Sequence, residues 1–459
     1  MTAIHRQFVL SFTVMGAVLA YLPVFLRSRL ADNTQVGLVL GTTGLAIILT
    51  PIVMTALADT RFQSRTLIAW CFGLSAGACG LLLLGHTLAS LLVIHLLFCF
   101  AFWPLAVMQD GLLFAMNRQR ERDGGAALPY HHVRVFGTVG FILPLVFLYF
   151  LLDAGYLVDI VLVVGAALAV LGLVNALTLP HIPLAETRRR KDNRRSTDAG
   201  PPPLPLREGP GEGRRFDPNQ TQDQSQGRPS PQPPPSGQGG GAGSAGRAID
   251  ETPLPHPTRA AAGVLFRGPA LVFCLAMFLA HLANAAYYSY YPIYLEDTVG
   301  FDEKWIGPIS MIGVVIELPM MLGVGWLTRK LGLKGLLLLG LALMALRLVL
   351  LGIMPTPSVA VGTQLLHGMT VIAMYVIAPI YLNQLVDQTG GGDRFRNSMQ
   401  GLFAMAVFGP ARILGPIAAG AVADVSMVGM FYVSAGLTAV ALLMLMAGFR
   451  INRENGLVA

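Results

Sequence analysis

The sequence predicts an all-α membrane protein: twelve transmembrane helices arranged as two six-helix halves. Three observations carry that prediction. First, of 459 residues 54% are hydrophobic and only 12% are charged, where a soluble domain carries about 25% charged residues. Second, the apolar residues fall in twelve runs long enough to cross a hydrocarbon core as helices. Third, Lys and Arg are distributed very unevenly between alternate loops.

The twelve runs cover approximately 7–26, 35–58, 66–85, 88–116, 133–152 and 157–179, then 269–294, 305–327, 335–354, 358–386, 398–421 and 427–449. Backbone groups left unpaired in lipid are costly, so each run must be helical. Of the 32 Lys and Arg residues, only Arg27, Arg29 and Lys304 fall in loops on one side, together with acids such as Glu296, Asp297, Asp302 and Glu303. The positive-inside rule then puts both termini in the cytoplasm, as expected for a protein of a bacterial-type inner (plasma) membrane. The first apolar run has no small-residue cleavage site and reads as a retained helix. Cys71, Cys79, Cys99 and Cys274 all lie in apolar runs and read as small hydrophobes, without metal or disulfide spacing.

Between the halves the composition changes. Residues 1–180 form one half and 269–459 the other, and 181–268 holds about half of the thirty prolines, with "GPPPLPL" and "SPQPPPSGQGGGAGSAG". Such a segment buries too little apolar surface to offset its chain entropy, so a disordered cytoplasmic linker is expected. Its "RRRKDNRR" (residues 188–195) suits either lipid headgroups or simple positive-inside bias.

Charge inside the membrane is the strongest functional signal. A mid-membrane charge costs at least about 2.5–3.5 kcal/mol and usually faces a bundle interior or a watered cavity. Glu317 on the eighth run, Arg347 on the ninth, His367 on the tenth and Arg412 on the eleventh all qualify. At about 1.5 Å of rise per residue, Glu317 lies roughly 18 Å deep, Arg347 roughly 10 Å and His367 roughly 13 Å. Long side chains can span these offsets, so one cluster is expected, with Arg347 as the partner of Glu317. The proton affinity of a buried carboxyl depends on its distance from a guanidinium. A solute that changes this distance would couple its own movement to a proton's. The alternatives are a static ion pair and, for His367, a hydrogen-bonded structural role. Arg412, in "FGPARILGPIAAG", suits an anionic solute group, a second partner for Glu317 or an internal counter-ion.

On the seventh run, His281, Asn284 and Tyr288 are spaced i, i+3, i+7 and share a face, flanked by Tyr287 and Tyr291. Polar groups beside stackable rings suit a planar solute, although Tyr291 and Tyr294 also fit an interfacial belt. In the first half, Asp110 and Arg134 fall near the inner ends of their helices. They read as a gate latch or as an ordinary end-of-helix pair. Thr138 and Phe141 continue the Arg134 face into the bundle.

These stretches carry a resemblance. "VRVFGTVGFI" (133–142), "LTLPHIPLAE" (177–186), "RLVLLG" (347–352) and "QGLFAM" (400–405) resemble the nucleoside:proton symporters of the major facilitator superfamily. "AAYYSYYPIYL" (285–295), "GVVIE" (313–317) and "QLLHG" (364–368) resemble its phenylpropionate permease branch. Both are related to the lactose permease group, in which a Glu, an Arg and a His on helices 8, 9 and 10 serve coupling and sugar binding. The basic ends of "ALADTRFQSR" and "GVGWLTRKLGLKG" resemble the superfamily's loop motif. The resemblance implies the major facilitator fold, a nucleoside contact face at Arg134, Thr138 and Phe141, and proton coupling by Glu317, Arg347 and His367. The sequence departs from the nucleoside family at Val314, where that family has Gln, and near Ile372, where it has an acid.

The reading is therefore a monomeric, proton-coupled symporter in the lipid bilayer for a small organic solute, a nucleoside by resemblance. Solute would bind at Arg134, Thr138, Phe141, His281, Asn284, Tyr288 and Arg412. Alternatives are proton-coupled uptake of an aromatic or organic acid or a sugar, an efflux antiporter suggested by "LGPIAAG", and a non-transporting receptor. No GxSxG, HExxH, Walker or dinucleotide motif is present, so neither enzymatic activity nor a cofactor is expected. Basic residues confined to short loops argue against nucleic acid.

Overall fold

The computed structural model describes residues 2–60, 62–180, 257–389 and 392–448. Among them are twelve helices long and apolar enough to cross a membrane. The first half comprises α1 (Ala3–Arg29), α2 (Asn33–Thr60), α3 (Ser64–Leu84), α4 (Leu88–Arg122), α5 (Tyr130–Asp153) and α6 (Ile160–Leu177). The second comprises α7 (Gly268–Asp297), α8 (Glu303–Leu322), α9 (Val324–Ile353), α10 (Pro357–Gln388), α11 (Ser398–Val425) and α12 (Met427–Gly448). No strand occurs among the described residues. The all-helical fold class read from the sequence is what the structure shows.

Local chemistry explains where the helices break. In α1 the break at Tyr21 precedes Pro23, which lacks an N–H. In α9, Gly332 has φ +70°, a conformation other residues resist. The helix kinks there, between the expected end of the eighth run at 327 and the start of the ninth at 335. Two π-helical turns interrupt α10 (Ile372–Ile377) and α11 (Ala404–Phe408).

The linker expectation is corrected at its C-terminal end. Residues 181–256 lie outside the described residues, but Pro257–Leu265 is a helix rather than an irregular tether. Its "RAAAGVL" is rich in good helix formers, and it buries Ala261 and Leu265 fully. That burial anchors it beside Gly392–Phe403.

Within the first half α1 packs on α5 and α6, and α3 on α6. Within the second, α12 packs on α7 and α9, and α11 on α7. The halves meet along two seams, α2 against α11 and α5 against α8. In the first seam Gly37, Gly41 and Gly44 lie against the backbone carbonyls of Pro416, Ile413 and Gly409, leaving no room for a Cβ. Small residues are what permit such helix approach in lipid.

At the end opposite the termini this seam is latched. Asp424 of α11 accepts from the backbone N–H of Asn33 (2.6 Å) and Thr34 (2.9 Å) and from the Thr34 hydroxyl (2.6 Å). An acid of one half thus caps a helix of the other, in the polarity the helix dipole favours. Tyr290 donates to the carbonyl of Asn33 at 2.8 Å, Gly307 donates its N–H to the Tyr21 hydroxyl at 3.0 Å, and Lys304 pairs with Asp153 at 3.1 Å. These hydrogen bonds and this ion pair join the halves at the one end.

Replacing Asp424 by Ala should therefore loosen the latch. Losing a cap costs about 0.5–2 kcal/mol, so thiol labelling of a cysteine placed at the buried Val36 should accelerate several-fold. An unchanged labelling rate would mean that the glycine seam alone holds this end shut.

Candidate functional site

The sequence-marked residues of the second half separate into three groups. Arg347 is the most enclosed, 3% exposed. Its guanidinium lies 3.9 Å from the centroid of the Tyr287 ring and donates to the Tyr287 hydroxyl and to Gln364 Oε1 (2.9 Å). It also contacts His367 Nδ1 at 3.0 Å. An arginine only donates, so His367 Nδ1 accepts and the proton of the neutral ring sits on Nε2. That nitrogen faces the Tyr288 hydroxyl at 3.3 Å. Gln364 closes the ring of contacts by donating to Tyr287 at 3.1 Å. The sequence supports this cradle locally: Gln364 lies in a 3₁₀ turn of α10, and Gly313 of α8 lets Gln364 and His367 approach its backbone closely.

The second group surrounds Tyr375, which lies in the π-helical turn of α10. Its hydroxyl accepts from Asn284 at 3.0 Å and from Arg412 at 3.3 Å. The Arg412 guanidinium also sits 5.3 Å from the Phe408 ring and 5.6 Å from the Tyr288 ring. His281 is 2% exposed and packs edge-on against Tyr375 and Phe408. So His281, Asn284 and Tyr288 do share a face of α7, and Tyr288 bridges the two groups.

Glu317 stands apart. Arg347 was the partner expected from the sequence, and the structure corrects that pairing. The guanidinium is held by Tyr287, Gln364 and His367, and the offset in depth between the two residues is not bridged. Among the described residues, the Glu317 carboxylate makes no hydrogen bond or ion pair. Burial is the main influence on its carboxyl, and Arg134, in the other half, adds a smaller charge interaction. The α5–α8 seam explains this. Tyr149 stacks edge-on with Trp305, and the Leu145 carbonyl abuts Gly307. Continuing this antiparallel register one helix face inward brings Glu317 to the level of Arg134 and Thr138. The field of Glu317 also reaches Tyr288.

Arg134, Thr138 and Phe141 lie along one side of α5, each half-buried. The Arg134 guanidinium packs 4.3 Å from the Phe12 ring centroid of α1. The ion pairs of the described residues do not include Asp110–Arg134, so the expected latch is not formed in this conformation. Helix α4 instead contributes Gln109, whose Oε1 accepts from Ser11 at 2.5 Å in a buried network with Gln7 and Asn175.

Gln364, Tyr375 and Phe408 are site residues the sequence reading did not single out. Gln364, His367 and Tyr375 are spaced i, i+3, i+11, a helical face that could have shown the first and last of them. The two π turns carried no comparable signal.

A family model described as the MFS_1-like family matches residues 2–433. The chain belongs to that family. Among curated relatives of this MFS_1-like protein, nucleoside permease NupG of Escherichia coli (strain K12) is 26% identical over 181 residues, 39% of this chain and 42% of the permease. The chain thus spans less than half of the curated permease it matches. Hippocampus abundant transcript-like protein 1 of Rattus norvegicus is 35% identical over 83 residues, 18% of this chain and 16% of that protein. Among solved structures, nucleoside transporter NupG superposes with a TM-score of 0.73 at 19% identity, covering 98% of this chain and 99% of that one. A peptide transporter, POT, in complex with sulfate, superposes with a TM-score of 0.63 at 12% identity, covering 97% and 93%. These likenesses establish the major facilitator fold of an integral membrane protein.

The Arg347 cradle gives a direct test. Gln364→Ala removes a buried acceptor from a buried cation, a loss of about 1–3 kcal/mol. The detergent-solubilised variant should unfold several degrees below wild type, whereas Gln364→Glu should restore most of the loss. Equal melting temperatures for all three proteins would show that the cradle contributes nothing to stability.

Proposed function

We propose that this MFS_1-like protein is a proton-coupled symporter that takes up a small ring-bearing solute of the nucleoside class by alternating access. One observation carries the reading: a carboxyl, Glu317, lies in a membrane-spanning helix at a seam between halves, without a partner in its own half and within the field of Arg134 across the seam. Relative movement of the halves changes that field, and a carboxyl's proton affinity follows its charged neighbours. Glu317 is the proton carrier, and the Arg347–His367 pair holds the α8-facing wall in place.

Solute binds between Arg134, Thr138 and Phe141 on one side and His281, Asn284, Tyr288 and Arg412 on the other. Rings of Tyr288, Tyr375 and Phe408 offer stacking surface beside hydrogen-bonding groups, which suits a nucleobase. The nucleoside permease likeness supports that class. The positive-inside distribution makes the latched end extracellular and the linker cytoplasmic. The protein acts as a monomer and draws on the proton gradient.

Purified protein in liposomes should accumulate labelled uridine or adenosine when the lumen is made alkaline, and not without a pH gradient. Glu317→Gln should lose accumulation while retaining counterflow exchange between internal and external solute. Gradient-driven accumulation by Glu317→Gln would remove the coupling role from this acid. Binding of solute without any movement across the bilayer would favour a receptor.

A further inference from the structure

The site holds more positive charge than it balances. Arg134, Arg347 and Arg412 come from α5, α9 and α11, and among the described residues none of them is ion-paired to an acid. Two are accounted for. Arg347 is enclosed by Tyr287, Gln364 and His367, and Arg134 shares an electrostatic contact with Glu317. Arg412 is left over. Its hydrogen bond to the Tyr375 hydroxyl is long, 3.3 Å, and that oxygen already accepts from Asn284. The guanidinium is half-buried, so some of its donors stay presented.

A second, independent feature lies behind it. His281 is 2% exposed, and neither ring nitrogen has a hydrogen-bond partner. A buried polar group left unsatisfied costs about 1–3 kcal/mol, and each such group calls for an explanation. The imidazole packs against Tyr375 and Phe408, the same rings that border Arg412, and it lies in the field of that arginine. An under-used guanidinium and an unpartnered imidazole thus share one corner, where an acceptor is missing.

We propose that Arg412, His281 and Tyr375 form an anion subsite, and that the solute is an acidic nucleoside, one bearing a carboxylate or phosphate group. This rests on the reading of the central site as a nucleoside transport site. The guanidinium offers a planar fork of donors to two oxygens of one oxyanion. The Phe408 and Tyr288 rings beside the guanidinium lower the local dielectric, which strengthens the pairing. A neutral nucleoside leaves Arg412 uncompensated inside the membrane, whereas an anionic one neutralises it.

The test uses the full chain in detergent and a matched set of probes: uridine, uridine 5′-carboxylate, its isosteric 5′-carboxamide, and uridine 5′-monophosphate. Calorimetric titration of wild type should show the carboxylate or the monophosphate binding at least tenfold tighter than the carboxamide, and the tighter of the two acids identifies the group. Arg412→Gln should bring that ratio to within twofold, and Arg412→Lys should keep part of it. Equal binding of acid and carboxamide by wild type overturns the proposal without reference to any variant. So does a ratio that survives in Arg412→Gln. If proton-driven uptake of uridine proceeds while the ratio is flat, the anion subsite fails and the transport reading stands. If none of the four probes binds, both fall.

Discussion

The account depends on one carboxyl that is not tied down. In a membrane interior an acid is normally paired, because ionising it alone is costly. Glu317 has no hydrogen-bonded or ion-paired partner among the described residues, and the charge it feels belongs to the opposite half. A group held in this way senses the arrangement of the two halves as well as the burial around it. Had Glu317 been bonded to Arg347, both residues would belong to one rigid half. Movement between the halves would then leave the pair's energy nearly unchanged.

Keeping Arg347 away from the acid requires a competing set of partners, and the second half supplies one. A guanidinium offers five donors in a plane and an apolar face. Gln364, the Tyr287 hydroxyl and His367 Nδ1 accept, and the Tyr287 ring covers the face. The same contacts tie α7, α9 and α10 together, which gives the wall opposite α5 a fixed shape. Gly313 and Gly368 let α8 lie close to α10. Glu317 is therefore presented from a braced helix while its own side chain is left available.

Much of this was legible in the sequence, and for identifiable reasons. Apolar runs, basic-residue asymmetry and the Pro-rich interruption are properties of composition along the chain, and they gave the twelve helices. Rare charges in those runs are visible one residue at a time, so Glu317, Arg347, His367 and Arg412 could be named. Which of them touch was not legible. Partner choice depends on helix rotation and on a depth offset of roughly 8 Å, and a spacing argument assumed that side-chain reach would cover it. The π turns at Tyr375 and Phe408 rotate these rings relative to a regular helix, and no residue pattern announces such turns. Pro257–Leu265 was hidden for a different reason: a short alanine-rich helix next to a Pro/Gly-rich segment is dominated by its neighbours' composition, and the burial of Ala261 and Leu265 is a tertiary fact.

The central claim is that Glu317 answers to Arg134 across the seam. Infrared titration of the protein in lipid, with the Glu317 carboxyl band assigned by its loss in Glu317→Gln, measures this directly. The account predicts that Arg134→Gln moves the titration midpoint of that band by at least about half a pH unit, since removing a nearby charge changes a carboxyl's proton affinity. A midpoint identical in wild type and Arg134→Gln would contradict it.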